Sequence, residues 1–264
     1  MKPIKISQLS VYPVKSANGN AVSTMWLDAM GPKWDRRWMV VDANYRFTSQ
    51  RKFAQMCHIK TKLSGDSLTL SAPDAGSITL DDPSARVHDV VVWRDTVQAQ
   101  DCGDAAAQWL SDYLGRSCRL VFMADETRRL VNPERAKNQE IVSFADGYPI
   151  LIVSSESLDL LNSKLDNDVQ MDRFRPNIVV TGCAPHAEDQ WKRIKIGQLE
   201  MSLVSACSRC IMPSIDQQTG VKNPKVIDAL QEYRRCDREI YFGMNAIHHS
   251  VGEIKLGDQL TILE

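Results

Sequence analysis

Short runs of alternating or β-branched residues, broken by Gly, Pro, Asp and Asn, fill the first hundred positions at 4–14, 38–42, 68–70, 78–80 and 87–93. A period near two marks half-buried strands, so this part is predicted to be sheet. The pattern changes at 105–114, where Ala-rich composition and Trp109 four residues before Tyr113 predict a short helix. Asp104 is its expected cap and Gly115 its expected end. A strand is predicted at 119–123. The polar stretch 125–139 holds four Arg or Lys residues without a period of two. It reads as a surface connection dividing 1–124 from 125–264.

Beyond that boundary, 149–153 predicts a strand, followed by a helix that Ser154 or Ser155 can cap, with Leu158, Leu161 and Leu165 on one face. Segments 177–182 and 194–206 predict further strands. Asn223 and Pro224 form an N-cap and first-turn pair for a helix whose buried stripe is Val226, Ile227, Leu230 and Tyr233. A closing strand pair is expected over 253–263. The words at 194–197 and 254–257 look alike, but ordinary strand and turn chemistry explains them without duplication. The fold class is therefore β-rich α+β with a few short helices.

Composition narrows the function classes. The 32 Lys and Arg nearly cancel the 33 Asp and Glu, for a net charge of −1. No overall positive field draws in nucleic acid, so any anion must be gripped locally. The longest clean apolar run, 150–153, is strand-sized against the ~20 residues of a membrane span, so no membrane partner is expected. Seven cysteines, scattered except for one pair and preceded by no apolar leader, suit a reducing cytoplasm.

That pair is Cys207 and Cys210, in Ala206-Cys207-Ser208-Arg209-Cys210-Ile211. The segment 199–206 reads as a strand delivering both thiols to its end, where Arg209 favours a thiolate that attacks carbon or binds a soft metal. A buried structural pair is the plain alternative. A thioredoxin-type motif lacks its βα context, and a zinc site lacks ligands: Cys236 lies past a helix, and His248 and His249 are adjacent. Cys102, in Asp-Cys-Gly, is expected to pack at a helix start, a position that can also lower a thiol pKa. Basic residues recur at strand boundaries: Lys15 with Ser16, Arg36 with Arg37, and Arg175. Singly, each is a solvated loop charge. Together with Arg209 they supply the forked and ammonium donors that suit a small phosphate.

Several words in order resemble a known family: Tyr12-Pro13-Val14-Lys15-Ser16, Asp35-Arg36, Phe144-Ala145-Asp146-Gly147-Tyr148-Pro149, Phe174-Arg175-Pro176-Asn177-Ile178, Cys207-Ser208-Arg209-Cys210-Ile211, Asp216 to Gly220 and Gly252 to Gly257. The chain is similar to MOSC-domain proteins of the arm that includes the mitochondrial amidoxime-reducing component and its bacterial relatives. The resemblance covers nearly the whole length. It implies an N-terminal MOSC-associated β-barrel-like region followed by a MOSC β-barrel. It also implies a molybdenum cofactor (Mo-molybdopterin) held as a pterin dithiolene, with Cys210 as the protein ligand to the metal. Lys15, Ser16, Arg36, Arg175, Asn177, Ser208, Arg209 and Asn245 match residues that line the cofactor in the family. Gly147 and Tyr148 match a pair that lines it through the backbone, at positions where relatives can carry hydroxyls.

The implied activity is two-electron reduction of N-hydroxylated compounds such as hydroxylamines, amidoximes and N-hydroxylated nucleobases. Cys210 would ligate the metal, Lys15, Arg175 and Arg209 would grip the phosphate, and Asn177 and Asn245 would hydrogen-bond the pterin. Asp146 and Asp216 are the candidate proton sources. Some bacterial relatives carry a plant-type ferredoxin domain with a Cys-x4-Cys-x2-Cys run. This sequence has no such run, so a separate iron-sulfur or haem carrier served by a flavin reductase is expected. The competing reading is a sulfur-transfer or cofactor-carrying module without reductase activity.

Overall fold

The computed structural model describes residues 3–80, 83, 86–136 and 138–264. At its centre, all five residues of Ile150–Ser154 are buried, as an apolar run bounded by proline and serine dictates. This strand lies parallel to Ile178–Thr181 and antiparallel to Glu239–His248. The parallel pair needs a crossover, which the helix Ser155–Asn162 supplies. The sheet continues from Glu239–His248 through Leu199–Ser208 and Arg193–Ile196 to Leu260–Ile262, and from Ile178–Thr181 to Lys5–Val11.

Its two ends meet. Lys5 bridges Gln259, the Ile6 amide donates to Asp258 O at 2.9 Å, and the Leu260 amide donates to Ile4 O at 2.9 Å. The sheet is thereby closed into a barrel, which removes the free edges that an open sheet would expose. Ile6, Leu9, Ile152, Ile178, Ile194 and Met201 share one buried cluster. Gly243, at φ 80°, allows a close approach between strands: a Cβ there would lie 2.8 Å from Ile152 O.

Two further sheets come wholly from the first half of the chain. Trp38–Asp42, Cys118–Phe122, Asp95–Asp101 and Val87–Val92 form one four-stranded antiparallel sheet, and Lys60–Ser64, Ser67–Ala72 and Gly76–Thr79 form a three-stranded one. The helix Asp104–Leu114 buries Ala106, Ala107, Leu110 and Leu114.

Strands from both sides of residue 124 share sheets: Lys5–Val11 is a stave of the barrel and Thr24–Asp28 pairs with Gly252–Lys255. Several local expectations change. The two closing strands are not a pair, since Leu260–Ile262 joins Arg193–Ile196 instead. Asp104 is the first residue of its helix; the cap position is Gly103, and the Asp104 carboxylate meets Arg119. Pro224 is the cap residue of Lys225–Arg234, with Asn223 Oδ1 accepting from the Lys225 amide. Leu165 lies past the end of its helix but still packs on the same core. The stretch 125–139 is not wholly surface, because Arg129 and Val131 are buried. Cys102 is not activated: burial pushes its thiol up to about 12, and the neighbouring Asp101 carboxylate adds to this.

Candidate functional site

A cleft of about 800 Å³, counted with the solvent at its mouth, gathers Lys15, Ser16, Arg36, Asp146, Arg175, Arg209 and Cys210. They arrive from five separate segments. The chain leaving Lys5–Val11 is tied to Trp38 by Lys15 N to Trp38 O at 2.8 Å and Trp38 N to Pro13 O at 3.0 Å. Arg36 lies just before that strand and Arg175 just before Ile178–Thr181. Ser16, Arg36 and Arg175 all take left-handed backbone conformations, at φ 67°, 50° and 55°. Such conformations cost energy in residues with a Cβ and persist where the surroundings enforce them.

Tyr12 organises the two arginines. Its buried ring carries the Arg36 and Arg175 guanidinium carbons each 4.3 Å from its centroid. Its hydroxyl donates to Pro176 O at 3.1 Å. Burial pushes this phenol up to about 12 against the pull of both guanidiniums, so it stays neutral. The ring fits because residue 19 is glycine: a Cβ there would lie 2.3 Å from Tyr12 Cε1. Arg36 is further held by Asp35, by Asn177 Oδ1 at 3.2 Å and by Arg175 O at 3.1 Å. Arg175 is less satisfied. Its Nη1 donates to Ala17 O at 2.6 Å, while its buried Nη2 has no partner. Burial, followed by the like charge of Arg36, pulls its pKa down to about 10. An anion in the cleft would relieve both.

Lys15 Nζ contacts Phe144 O at 2.7 Å and Asp146 Oδ1 at 2.5 Å. Burial and the nearby Arg129 and Arg36 lower the lysine pKa, opposed by Asp146. The Asp146 side chain is exposed, and the Lys15 ammonium and the Trp93 indole hold its carboxyl well below the usual range. Asp146 is thus ionised at neutral pH, which suits orienting Lys15 better than donating a proton.

The strand Leu199–Ser208 shifts register against Glu239–His248 between Ala206 and Ser208, a bulge that re-aims the chain at its end. Cys207 is half-buried and Cys210 is exposed. At Cys207 burial raises the thiol pKa despite Arg209. Arg209 spends its donors on carbonyls, with Nε and Nη2 on Phe242 O at 3.0 and 2.7 Å and Nη1 on Phe174 O at 3.1 Å.

Comparisons with known proteins identify the family. The MOSC N-terminal beta barrel domain matches residues 3–117, and the MOSC domain matches residues 139–261. Mitochondrial amidoxime-reducing component 1 of Homo sapiens is 36% identical over 280 residues, covering 98% of this chain and 82% of the relative. The mouse (Mus musculus) component 1 is 34% identical over 98% of this chain and 82% of its own. Component 2 of Bos taurus is 35% identical over 96% of this chain and 81% of its own. The chain belongs to the MOSC family of amidoxime-reducing components.

In this MOSC protein the cleft brings together Lys15, Ser16, Arg36, Asp146, Gly147, Tyr148, Arg175, Asn177, Ser208, Arg209, Cys210 and Asn245. Asp216 is absent from it. Its Oδ1 accepts from the Gln218 and Thr219 amides and its Oδ2 meets Arg173 Nη2 at 2.5 Å, so it builds a turn. Asn177 lines the cleft but its amide is spent inside the protein, on Arg36, the Leu151 amide and Ser10 O. It acts as a brace, whereas the Asn245 side chain makes no such bonds among the described residues. Sequence reasoning missed Tyr12 and Arg129. Arg129, 4% exposed, donates to Ser143 O at 2.7 Å, Ala145 O at 2.6 Å and Asp95 at 2.8 Å. It pins the loop that carries Asp146. No local pattern distinguishes it from Arg128. Tyr12 had a signal in the Tyr-Pro-Val-Lys-Ser word, but its partners lie 24 and 163 residues away.

Proposed function

We propose that the cleft holds a molybdenum cofactor through its phosphate and pterin, and that the protein reduces N-hydroxylated compounds with electrons from a separate carrier. One observation carries this reading: an exposed thiol, Cys210, stands at a cleft where a buried guanidinium nitrogen of Arg175 lacks a partner. The donor set fits the group. With Asp146 paired to Lys15 and Asp35 paired to Arg36, Arg175 and Arg209 leave two positive charges, which match a dianion. Among the described residues no group of three or more His, Cys, Asp or Glu could hold a metal. A metal at Cys210 therefore needs further soft ligands, which a dithiolene supplies.

When bound, the cofactor supplies a thiophilic metal able to take an oxygen atom and exchange two electrons. The balanced reaction is R–NHOH plus two electrons and two protons giving R–NH2 and water. A one-electron carrier of the iron-sulfur or haem type, recharged by a flavin reductase, supplies the electrons. The chain's own residues do the rest. Cys210 ligates, Arg175 Nη2 and Lys15 bind phosphate oxygens, Arg209 adds charge, and the Asn245 amide hydrogen-bonds the pterin. Tyr12 fixes Arg36 and Arg175 before binding, so little ordering cost remains.

Protein made in cofactor-competent cells is expected to contain about one molybdenum and one pterin per chain and to reduce a simple hydroxylamine with a chemical electron donor. Cys210→Ser that keeps metal and full activity would refute the ligand role. Loaded wild type without reductase activity would favour the sulfur-transfer or carrier reading.

A further inference from the structure

A separate groove of about 850 Å³, counted with the solvent at its mouth, shares no lining residue with the cleft that holds Cys210. It is flanked by two strands that are paired on one side only: Asn20–Val22, against Lys5–Val11, and Lys60–Ser64, against Ser67–Ala72. Asn20 Nδ2 donates to Thr61 Oγ1 at 2.9 Å and ties these two walls together. Open sheet edges are ordinarily covered or charged, and here the space beside them is left free.

The groove joins an apolar lining to two indoles. Val11 and Met25 are buried beneath it, and Val22 and Leu63 are half-buried. Trp26 is 49% exposed, yet it lies in Thr24–Asp28, which pairs with Gly252–Lys255 on one side and Gly31–Pro32 on the other. Its backbone is therefore held while its ring is bare. Trp34 takes a left-handed backbone conformation at φ 69°, which is rare for a bulky residue and persists only where the surroundings enforce it. Its ring lies 5.5 Å from that of Trp38 and 6.5 Å from that of Phe122, centroid to centroid. Two held indoles beside aliphatic side chains form a prearranged surface for a flat ring system.

Charge supplies the second half of the argument. The charged residues lining the groove are Lys33 and Lys62, both exposed, and no Asp or Glu lines it. Among the described residues neither ammonium has a carboxylate partner. Lys33 Nζ sits 5.2 Å from the Trp34 ring centroid, a cation–π contact that keeps this charge beside the aromatic wall. A groove of net positive charge in a chain of net charge −1 suits an anion, and its apolar lining suits one with a hydrophobic body.

We propose that this groove is a second ligand site, for a planar aromatic carboxylate whose rings rest on Trp26 and Trp34 and whose carboxylate meets Lys33 and Lys62. The site goes beyond the reading of the cleft and does not depend on it.

The test is calorimetry at low ionic strength with 2-naphthoate, its neutral counterpart 2-naphthamide, and decanoate. Cofactor-loaded protein is used, so that the cations of the cleft are already engaged. Saturable binding of one 2-naphthoate per chain is expected, about tenfold tighter than the amide, the size of a charge-assisted contact at an exposed site. In Lys33→Gln/Lys62→Gln that gain vanishes while amide binding is unchanged. Trp26→Thr, which keeps a good strand former at the position, weakens acid and amide alike. Absence of saturable 2-naphthoate binding, or equal affinity for acid and amide in wild type, would overturn the proposal. So would a gain that survives the double variant, which assigns the anion to another surface. Decanoate binding as tightly as 2-naphthoate would overturn the aromatic class.

Discussion

Lys15 Nζ lies 2.5 Å from Asp146 Oδ1, joining the loop after the first strand to the loop before Ile150–Ser154. The pair locks a cation into the cleft wall while its carboxylate faces solvent.

Its pH signature follows from direction. In the folded chain the Asp146 carboxyl is held below its ordinary 3.8, so its contribution is complete above that pH and is lost as pH falls through the lower folded value. Wild type is expected to exceed Asp146→Asn in stability by a constant margin from about pH 7 to 5, narrowing below pH 3.8. The Asp146 side chain is 77% exposed, so screening limits the margin to ~1 kcal/mol or less. Urea titrations across that range measure it, and a margin that widens in acid would contradict the assignment.

Gly19→Ala would push a methyl against the Tyr12 ring, whose two stacked guanidiniums leave it no room. Overpacking of this kind costs ~1–3 kcal/mol. A thermal melt should show the loss, and cofactor retention should fall with it because Arg36 and Arg175 move.

Arg175→Met should act in opposite directions on stability and function. Removing a buried cation with an unpartnered nitrogen is expected to raise the stability of cofactor-free protein by ~1 kcal/mol or more. The same variant should retain less pterin after purification. Melting temperature and pterin content, read side by side, check both; a destabilised variant with normal pterin would reverse the account.

Thiol labelling offers a direct view of Cys210. In cofactor-free protein the exposed Cys210 and Cys236 should react fast, while the buried Cys57, Cys102 and Cys118 stay silent. Loading with cofactor should protect Cys210 and leave Cys236 as an internal control. Mass spectrometry of the labelled peptides reads the difference, and equal labelling of Cys210 with and without cofactor would remove it as a ligand.

Much of this was legible in the sequence. Strands such as Trp38–Asp42 and the helix Asp104–Leu114 follow from short-range pattern, and the cysteine and arginine words mark the cleft. The strand Glu239–His248 was missed although 240–247 is mostly apolar, because Gly243 and Asn245 interrupt it. Gly243 is there for the closeness of Ile152, a contact between residues 91 apart.

The chain by itself determined which residue types and which local elements are present, since periodicity, capping and turn chemistry act over a few neighbours. Only the tertiary structure decided that Lys5–Val11 closes a barrel with the far end of the chain, that Tyr12 holds two distant arginines, and that Asp216 builds a turn away from the cleft. Those outcomes depend on which surfaces exclude water together, and that selection is made across the whole fold.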